Sequence, residues 1–149
     1  MRRMITRLIG AALVGLFAVG TAGQAAQAGP IVEDGAAYFV FTDGWSQDEA
    51  VVSITDPAKI EHARALLSGE TQDEPHIMGR IVKRPAPYNP QWSFHIQPDS
   101  VQFFNVAIEV CDSSISYTED HLDEAGGPFL PGLYWCPWNS RLVRELPMG

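Results

Sequence analysis

Two histidines are the residues of this sequence best suited to acid–base chemistry. His95 could act with Asp99 or Asp112, and His121 lies inside an acidic segment. An imidazole oriented by a carboxylate can serve as a general base, so a small secreted hydrolase that uses His95 or His121 is one hypothesis. No Gly-x-Ser-x-Gly elbow, His-Glu-x-x-His pair or phosphate-binding glycine loop accompanies them. Hydrogen-bonded histidines without a catalytic role are therefore the favoured interpretation.

Five carboxylates are concentrated in one segment of the chain and could offer oxygen ligands to calcium, which takes about six to eight of them. Their spacing matches no EF-hand loop. A solvated helix face is the favoured alternative, because carboxylates near a helix N-terminus complement its dipole. The candidate ligands are Asp112, Glu119, Asp120, Asp123 and Glu124.

Cys111 and Cys136 are the only cysteines. In an exported protein two cysteines most simply form a disulfide. Closing a loop of about 25 residues would stabilise the fold by about 3 kcal/mol. Two buried free thiols, or a metal or nucleophile role, are the alternatives.

Aromatic residues flank two proline-containing segments, residues 87–92 and 134–138. If exposed, they would form a stacking surface for a saccharide, a peptide or a partner protein, and if buried, they would be core beneath loops. Such a surface predicts a secreted, non-enzymatic binding module. The candidates for ligand binding are Tyr88, Trp92, Trp135 and Trp138.

The first residues are typical of an export signal. Three arginines precede the apolar residues 8–20, and the triplet 26–28 fits a small-x-small cleavage site. The sequence therefore predicts a signal peptide over residues 1–28 and a single secreted domain over residues 29–149, with an uncleaved anchor as the alternative. Without those three arginines, seven basic residues remain against 18 acidic ones, a net charge of −11. This balance argues against nucleic acid or an anionic membrane as a partner.

Strands and helices must position these residues. Strand patterns cover residues 37–41, 50–54, 76–82, 92–96, 101–110 and 141–146, with 101–110 as a central strand covered on both faces.

A first helix is predicted over residues 56–68, between the N-cap Asp56 and Gly69. A second is predicted over 116–125, where Ser116 and Glu119 have the spacing of a capping box. Together these elements predict an α+β domain, a mostly antiparallel sheet of about five or six strands with two helices packed on it and one disulfide. A β-sandwich with short helices is the alternative.

Six blocks of sequence carry a family resemblance. They are residues 56–69, 75–79, 87–93, 108–112, 121–124 and 135–138. In this order they resemble a family of small exported proteins, some described as calmodulin-binding after the N-terminal domain of an amoebal protein. The resemblance implies calmodulin- or calcium-linked binding. Calmodulin targets are typically basic amphipathic helices, whereas Arg80, Lys83 and Arg84 fall on a predicted strand and a proline-rich loop.

Overall fold

The computed structural model describes residues 35–147, and the predicted signal peptide lies outside them. These residues form nine β-strands and two α-helices, with mostly antiparallel strand pairing. The α+β fold class predicted from the sequence is therefore confirmed. No helix in this part of the chain is long and apolar enough to cross a membrane.

The first sheet contains the first two predicted strands, which form a hairpin, and the C-terminal strand. β1 (Ala37–Thr42) and β2 (Glu49–Ile54) pair antiparallel, and β9 (Arg141–Glu145) lies along the other edge of β1. Alternate residues of β1 face the main core and a smaller apolar cluster that contains Tyr38 and Tyr88. Burial on both faces explains why β1 is apolar at successive positions.

The second sheet is built on β3 (His76–Val82), whose pattern was predicted correctly. Its first three residues pair with β5 (Gln102–Phe104), the next two with β8 (Tyr134–Trp135) and the last two with β4 (His95–Ile96). Each partner has only two or three residues of β3 to pair with. The three partners of β3 are therefore short, and the nine strands of residues 35–147 outnumber the five or six predicted.

Gly79 lies where two of these partner strands meet. A Cβ atom at this position would overlap Cγ2 of Ile96 and would lie 3.1 Å from Oγ of Ser100. Gly79 therefore lies where neighbouring segments approach closely, as an isolated glycine in a strand often does.

The predicted central strand over residues 101–110 is wrong. Only β5 is formed there, and Val106, Ile108 and Val110 are 83%, 70% and 55% exposed. The chain leaves the sheet at Asn105, whose side chain accepts a hydrogen bond from the connection that precedes β3. The strand predicted over residues 92–96 is likewise shortened to β4, because the residues before it form a turn.

The helix α1 (Pro57–Ser68) is confirmed with both of its signals. The Asp56 carboxylate accepts the Ala58 N–H at 2.9 Å, and Gly69 closes the helix in the left-handed conformation at φ 77°. Its buried face packs against the first sheet.

The second helix is displaced from its predicted position. α2 (Ile115–Asp120) begins one residue before the predicted start and is capped by Ser114, whose hydroxyl accepts the Tyr117 N–H at 3.1 Å. The predicted capping box is therefore wrong, since the Glu119 carboxylate accepts the N–H of Ser93 instead. Two further short strands, β6 (Ala125–Gly126) and β7 (Phe129–Pro131), pair parallel after α2.

Candidate functional site

The proline loop, residues 84–92, is fastened to the first sheet by one buried side chain. The Asn89 carbonyl oxygen accepts the Val51 N–H at 2.9 Å, and its amide nitrogen donates to the Phe94 carbonyl at 3.2 Å. The Asn89 N–H also donates to the Ala86 carbonyl at 2.9 Å, which closes a turn. The Asn89 amide thus forms hydrogen bonds with backbone groups that have no partner strand to pair with. These bonds hold the loop in one conformation.

A cavity of about 610 Å³ lies beneath this loop, and we call it the proline-loop cavity. Its wall is aromatic: the Tyr88 ring lies 5.1 Å from the Tyr38 ring and 6.1 Å from the His95 imidazole, centroid to centroid. Arg84 and Gln97 line it as well. The cavity thus joins two residues singled out from the sequence, Tyr88 and His95.

The charge of this cavity differs from that of the whole protein. No Asp or Glu is found among its lining residues within the described chain, although the sequence has 18 acidic residues. The Arg84 side chain is exposed and makes no ion pair within residues 35–147. By contrast Arg64 and Arg144 hold carboxylates at 2.6 and 2.8 Å. Among the described lining residues, the positive charge open to a ligand is therefore that of Arg84.

The two histidines proposed as general bases are not paired with carboxylates. Nδ1 of His95 donates to the Arg84 carbonyl at 2.8 Å, and Nδ1 of His121 donates to the Tyr117 carbonyl at 2.9 Å. A carbonyl can only accept, so each imidazole carries its proton on Nδ1 when neutral. Within residues 35–147 neither ring has the carboxylate that would orient a catalytic base.

The four aromatic candidates do not share one surface. Tyr88 lines the cavity, whereas Trp92 is half-buried against the main core and donates its indole N–H to the Glu49 carbonyl at 2.8 Å. Trp135 is fully buried, because β8 packs it among the core aromatics, so its assignment to an exposed surface is corrected. Trp138 packs beside the disulfide. The Trp135 ring is therefore not available for stacking on a ligand.

The disulfide between Cys111 and Cys136 is confirmed, with 5.1 Å between the Cα atoms. Both residues are buried, and the Cys136 N–H also donates to the Cys111 carbonyl at 2.8 Å. A bonded sulfur is neither a nucleophile nor a metal ligand. The pair is therefore a structural link between the segment before α2 and β8.

The carboxylates proposed as calcium ligands are spread over different local contacts. Oδ1 of Asp112 accepts the Trp138 N–H at 3.0 Å, and Glu119 accepts the N–H of Ser93 at 2.9 Å. Residues 35–147 contain no group of three or more His, Cys, Asp or Glu side chains arranged to hold a metal ion. Calcium binding by Asp112, Asp120, Asp123 and Glu124 stays an untested alternative to the favoured solvated helix face.

A second region is organised by one buried carboxylate in the β1–β2 loop. Asp43 is fully buried, and its Oδ1 accepts the N–H groups of Trp45 and Ser46, both at 2.8 Å. Its Oδ2 accepts the Ile115 N–H at 2.7 Å. One side chain thereby joins the β1–β2 loop to the first turn of α2. Nothing local in the sequence distinguishes this role from an ordinary turn aspartate.

The loop held by Asp43 presents an exposed indole that sequence reasoning missed. Trp45 is 66% exposed and, with Val110, Tyr117 and Phe129, lines a shallow depression of about 590 Å³. A signal was present in the sequence, since a tryptophan in a turn of Asp, Gly and Ser has no apolar periodicity to bury it.

Residues 35–149 match a family model described as the BP-74 N-terminal domain. The match includes every strand and helix described above. No curated protein and no solved structure matches the chain. The description of the family model names a domain and no ligand, so the chemistry of the site rests on its geometry.

Proposed function

We propose that this chain, which belongs to the BP-74 N-terminal domain family, is a secreted, non-enzymatic binding module. Its ligand site is the proline-loop cavity. The observation that carries the proposal is a preformed aromatic cavity whose histidine is bound to a backbone carbonyl rather than to a carboxylate. Such a cavity can hold a ligand, and within residues 35–147 its histidine lacks the carboxylate partner that a hydrolase triad uses to hold its base.

The ligand is a small molecule that carries a carboxylate next to a ring. A carboxylate fits because Arg84 supplies a guanidinium with no ion pair among the described residues, and a guanidinium binds planar anions through paired N–H donors. The described lining offers no repelling acid. A ring fits because Tyr38 and Tyr88 present aromatic surface. A peptide C-terminus and a uronic acid share this chemistry.

The rigidity of the loop supports a binding role. Asn89 fixes the proline loop to β2 and to the residue before β4. Proline residues 85, 87 and 90 restrict the unbound loop further. Because the loop is already ordered, ligand binding costs little conformational entropy of the protein, and more of the interaction free energy contributes to affinity.

Calorimetric titration of residues 29–149 tests the proposal with matched acidic and neutral probes. Glucuronate is compared with glucose, and N-acetylphenylalanine with its amide. Within at least one pair the acid is expected to bind about tenfold more tightly, because only the acid can pair with Arg84. The pair that shows the preference identifies the saccharide or the peptide as the source.

Two variants separate the cavity from general electrostatics. Arg84→Gln is expected to remove the preference for the acid, whereas Lys83→Gln, which removes the same charge from a neighbour outside the cavity lining, is expected to keep it. Equal effects of both variants would contradict the site. Ester hydrolysis that is abolished by His95→Gln would overturn the non-enzymatic assignment.

A further inference from the structure

The depression beside Trp45 is a second surface, and it shares no lining residue with the proline-loop cavity. We call it the aromatic groove and define it by Trp45, Val110, Asp112, Tyr117 and Phe129. Three of its apolar side chains are strongly exposed, namely Trp45 at 66%, Val110 at 55% and Tyr117 at 50%. Large apolar side chains gathered on one surface mark a site of interaction rather than a general property of soluble proteins.

The groove is held in shape without a ligand. Asp43 fastens the loop of Trp45 to the start of α2, as described above. On the other side, the Tyr117 ring stacks on the His121 imidazole at 3.9 Å and meets the Phe129 ring at 5.5 Å. The Tyr117 ring is therefore held by neighbouring rings, and the backbone that carries Trp45 is fastened in place, so a partner can bind with little rearrangement of the groove.

The segment that supplies most of the groove is acidic. Residues 110–129 contain five Asp or Glu residues and no Lys or Arg. Asp112 lines the groove, and its Oδ1 accepts the Trp138 N–H, whereas its Oδ2 has no hydrogen bond within residues 35–147. The ion pairs formed within residues 35–147 involve Lys59, Arg64 and Arg144, none of which lines the groove. Among the described residues that line the groove, the charge of Asp112 is therefore not neutralised by a cationic side chain.

We propose that the aromatic groove binds a basic segment of a partner protein, one in which a Lys or Arg stands next to an apolar side chain. A cation is attracted to the face of an aromatic ring within about 6 Å, and a nearby carboxylate strengthens that attraction. The exposed Val110 and the half-buried Phe129 cover the aliphatic part of the segment. A neutral saccharide would use one ring but would gain nothing from Val110 or from the negative charge.

The test uses residues 29–149 and synthetic peptides, with binding followed by calorimetry and by tryptophan fluorescence. The probe is a peptide of about twelve residues in which lysine and leucine alternate, so that each cationic side chain stands next to an apolar one. A glutamate–leucine peptide, oligolysine and a neutral cello-oligosaccharide are the comparison ligands. The lysine–leucine peptide is expected to bind most tightly, and its affinity is expected to fall as salt rises.

Variants locate the binding. Trp45→Ala is expected to weaken the lysine–leucine peptide about tenfold or more, as the loss of a central aromatic does. Asp112→Asn keeps the acceptor for the Trp138 N–H and is expected to reduce affinity about threefold and to flatten the salt dependence. Val143→Ala, an exposed apolar residue on β9 outside the groove, is the control and is expected to change nothing.

Three results would overturn the proposal. They are equal binding of the glutamate–leucine peptide, binding of the oligosaccharide alone, and a lysine–leucine affinity that Trp45→Ala leaves unchanged. Because Trp45 is exposed, its removal is not expected to unfold the protein, and an unchanged melting temperature confirms that the comparison is valid.

Discussion

Replacing Asp43 by alanine is expected to destabilise the protein by about 3 kcal/mol, the largest effect of a single polar side chain in the β1–β2 loop. The carboxylate accepts three backbone N–H groups, those of Trp45 and Ser46 at 2.8 Å and that of Ile115 at 2.7 Å. The Ile115 N–H is buried, so water cannot replace its acceptor. One buried orphaned donor costs about 1–3 kcal/mol, and the two half-buried donors add a smaller amount because they can be rehydrated.

The magnitude is measured by urea unfolding of Asp43→Ala and wild type at neutral pH. Asp48→Ala is the matched control, since Asp48 lies in the same loop and its carboxylate makes no hydrogen bond within the described residues. The control is expected to change the free energy of unfolding by less than about 0.5 kcal/mol. A loss below about 1 kcal/mol in Asp43→Ala would show that Asp43 does not hold the loop to α2, and would refute the reasoning.

Other predictions concern the sheet, the disulfide and the surface ion pairs. Gly79→Ala is expected to cost about 1–3 kcal/mol in urea unfolding, because the new methyl group overlaps Ile96. Cys136→Ser is expected to lower the free energy of unfolding by about 3 kcal/mol, a difference that disappears when wild type is reduced. The hydrogen bond from Arg64 lowers the pKa of Glu145 below its usual 4.5. This carboxylate therefore stabilises the fold above its usual pKa, and the stabilisation is lost as the pH falls through the lowered pKa. The melting temperatures of Glu145→Gln and wild type should therefore differ at pH 7 and converge at acid pH. Millimolar calcium is expected to leave the melting temperature unchanged, and a rise of several degrees would establish the calcium site instead.

The candidate sites were only partly predictable from residue types. The sequence places Tyr88 and His95 on either side of a turn, and the structure brings their rings to 6.1 Å in one cavity. It could not show that the His95 proton is directed to a backbone carbonyl, because that contact depends on how the proline loop folds back. Trp45 was not among the predicted ligand-binding residues. It lies in a loop, and the aromatic candidates were chosen from the two proline-containing segments.

Local sequence signals were sufficient for elements whose ends are marked by capping residues. Asp56 and Gly69 fix both ends of α1, because a capping carboxylate and a left-handed glycine act within one turn of the chain. The strand β3 and the disulfide could likewise be predicted without knowing the tertiary contacts. Alternation of apolar residues indicates a strand, and a protein with two cysteines can form only one intramolecular disulfide.

Tertiary structure alone decided which apolar residues are buried. Trp135 is fully buried because its ring meets Phe41 and Phe94, which come from two other segments, whereas Val106 and Ile108 are exposed although their alternation is that of a strand. Exposure depends on which segments distant in sequence pair with β3. The local sequence of those segments does not show which of them will pair. The sequence therefore determined which elements form and which cysteines pair, and the packing of short strands around β3 decided which aromatic rings remain free to meet a ligand.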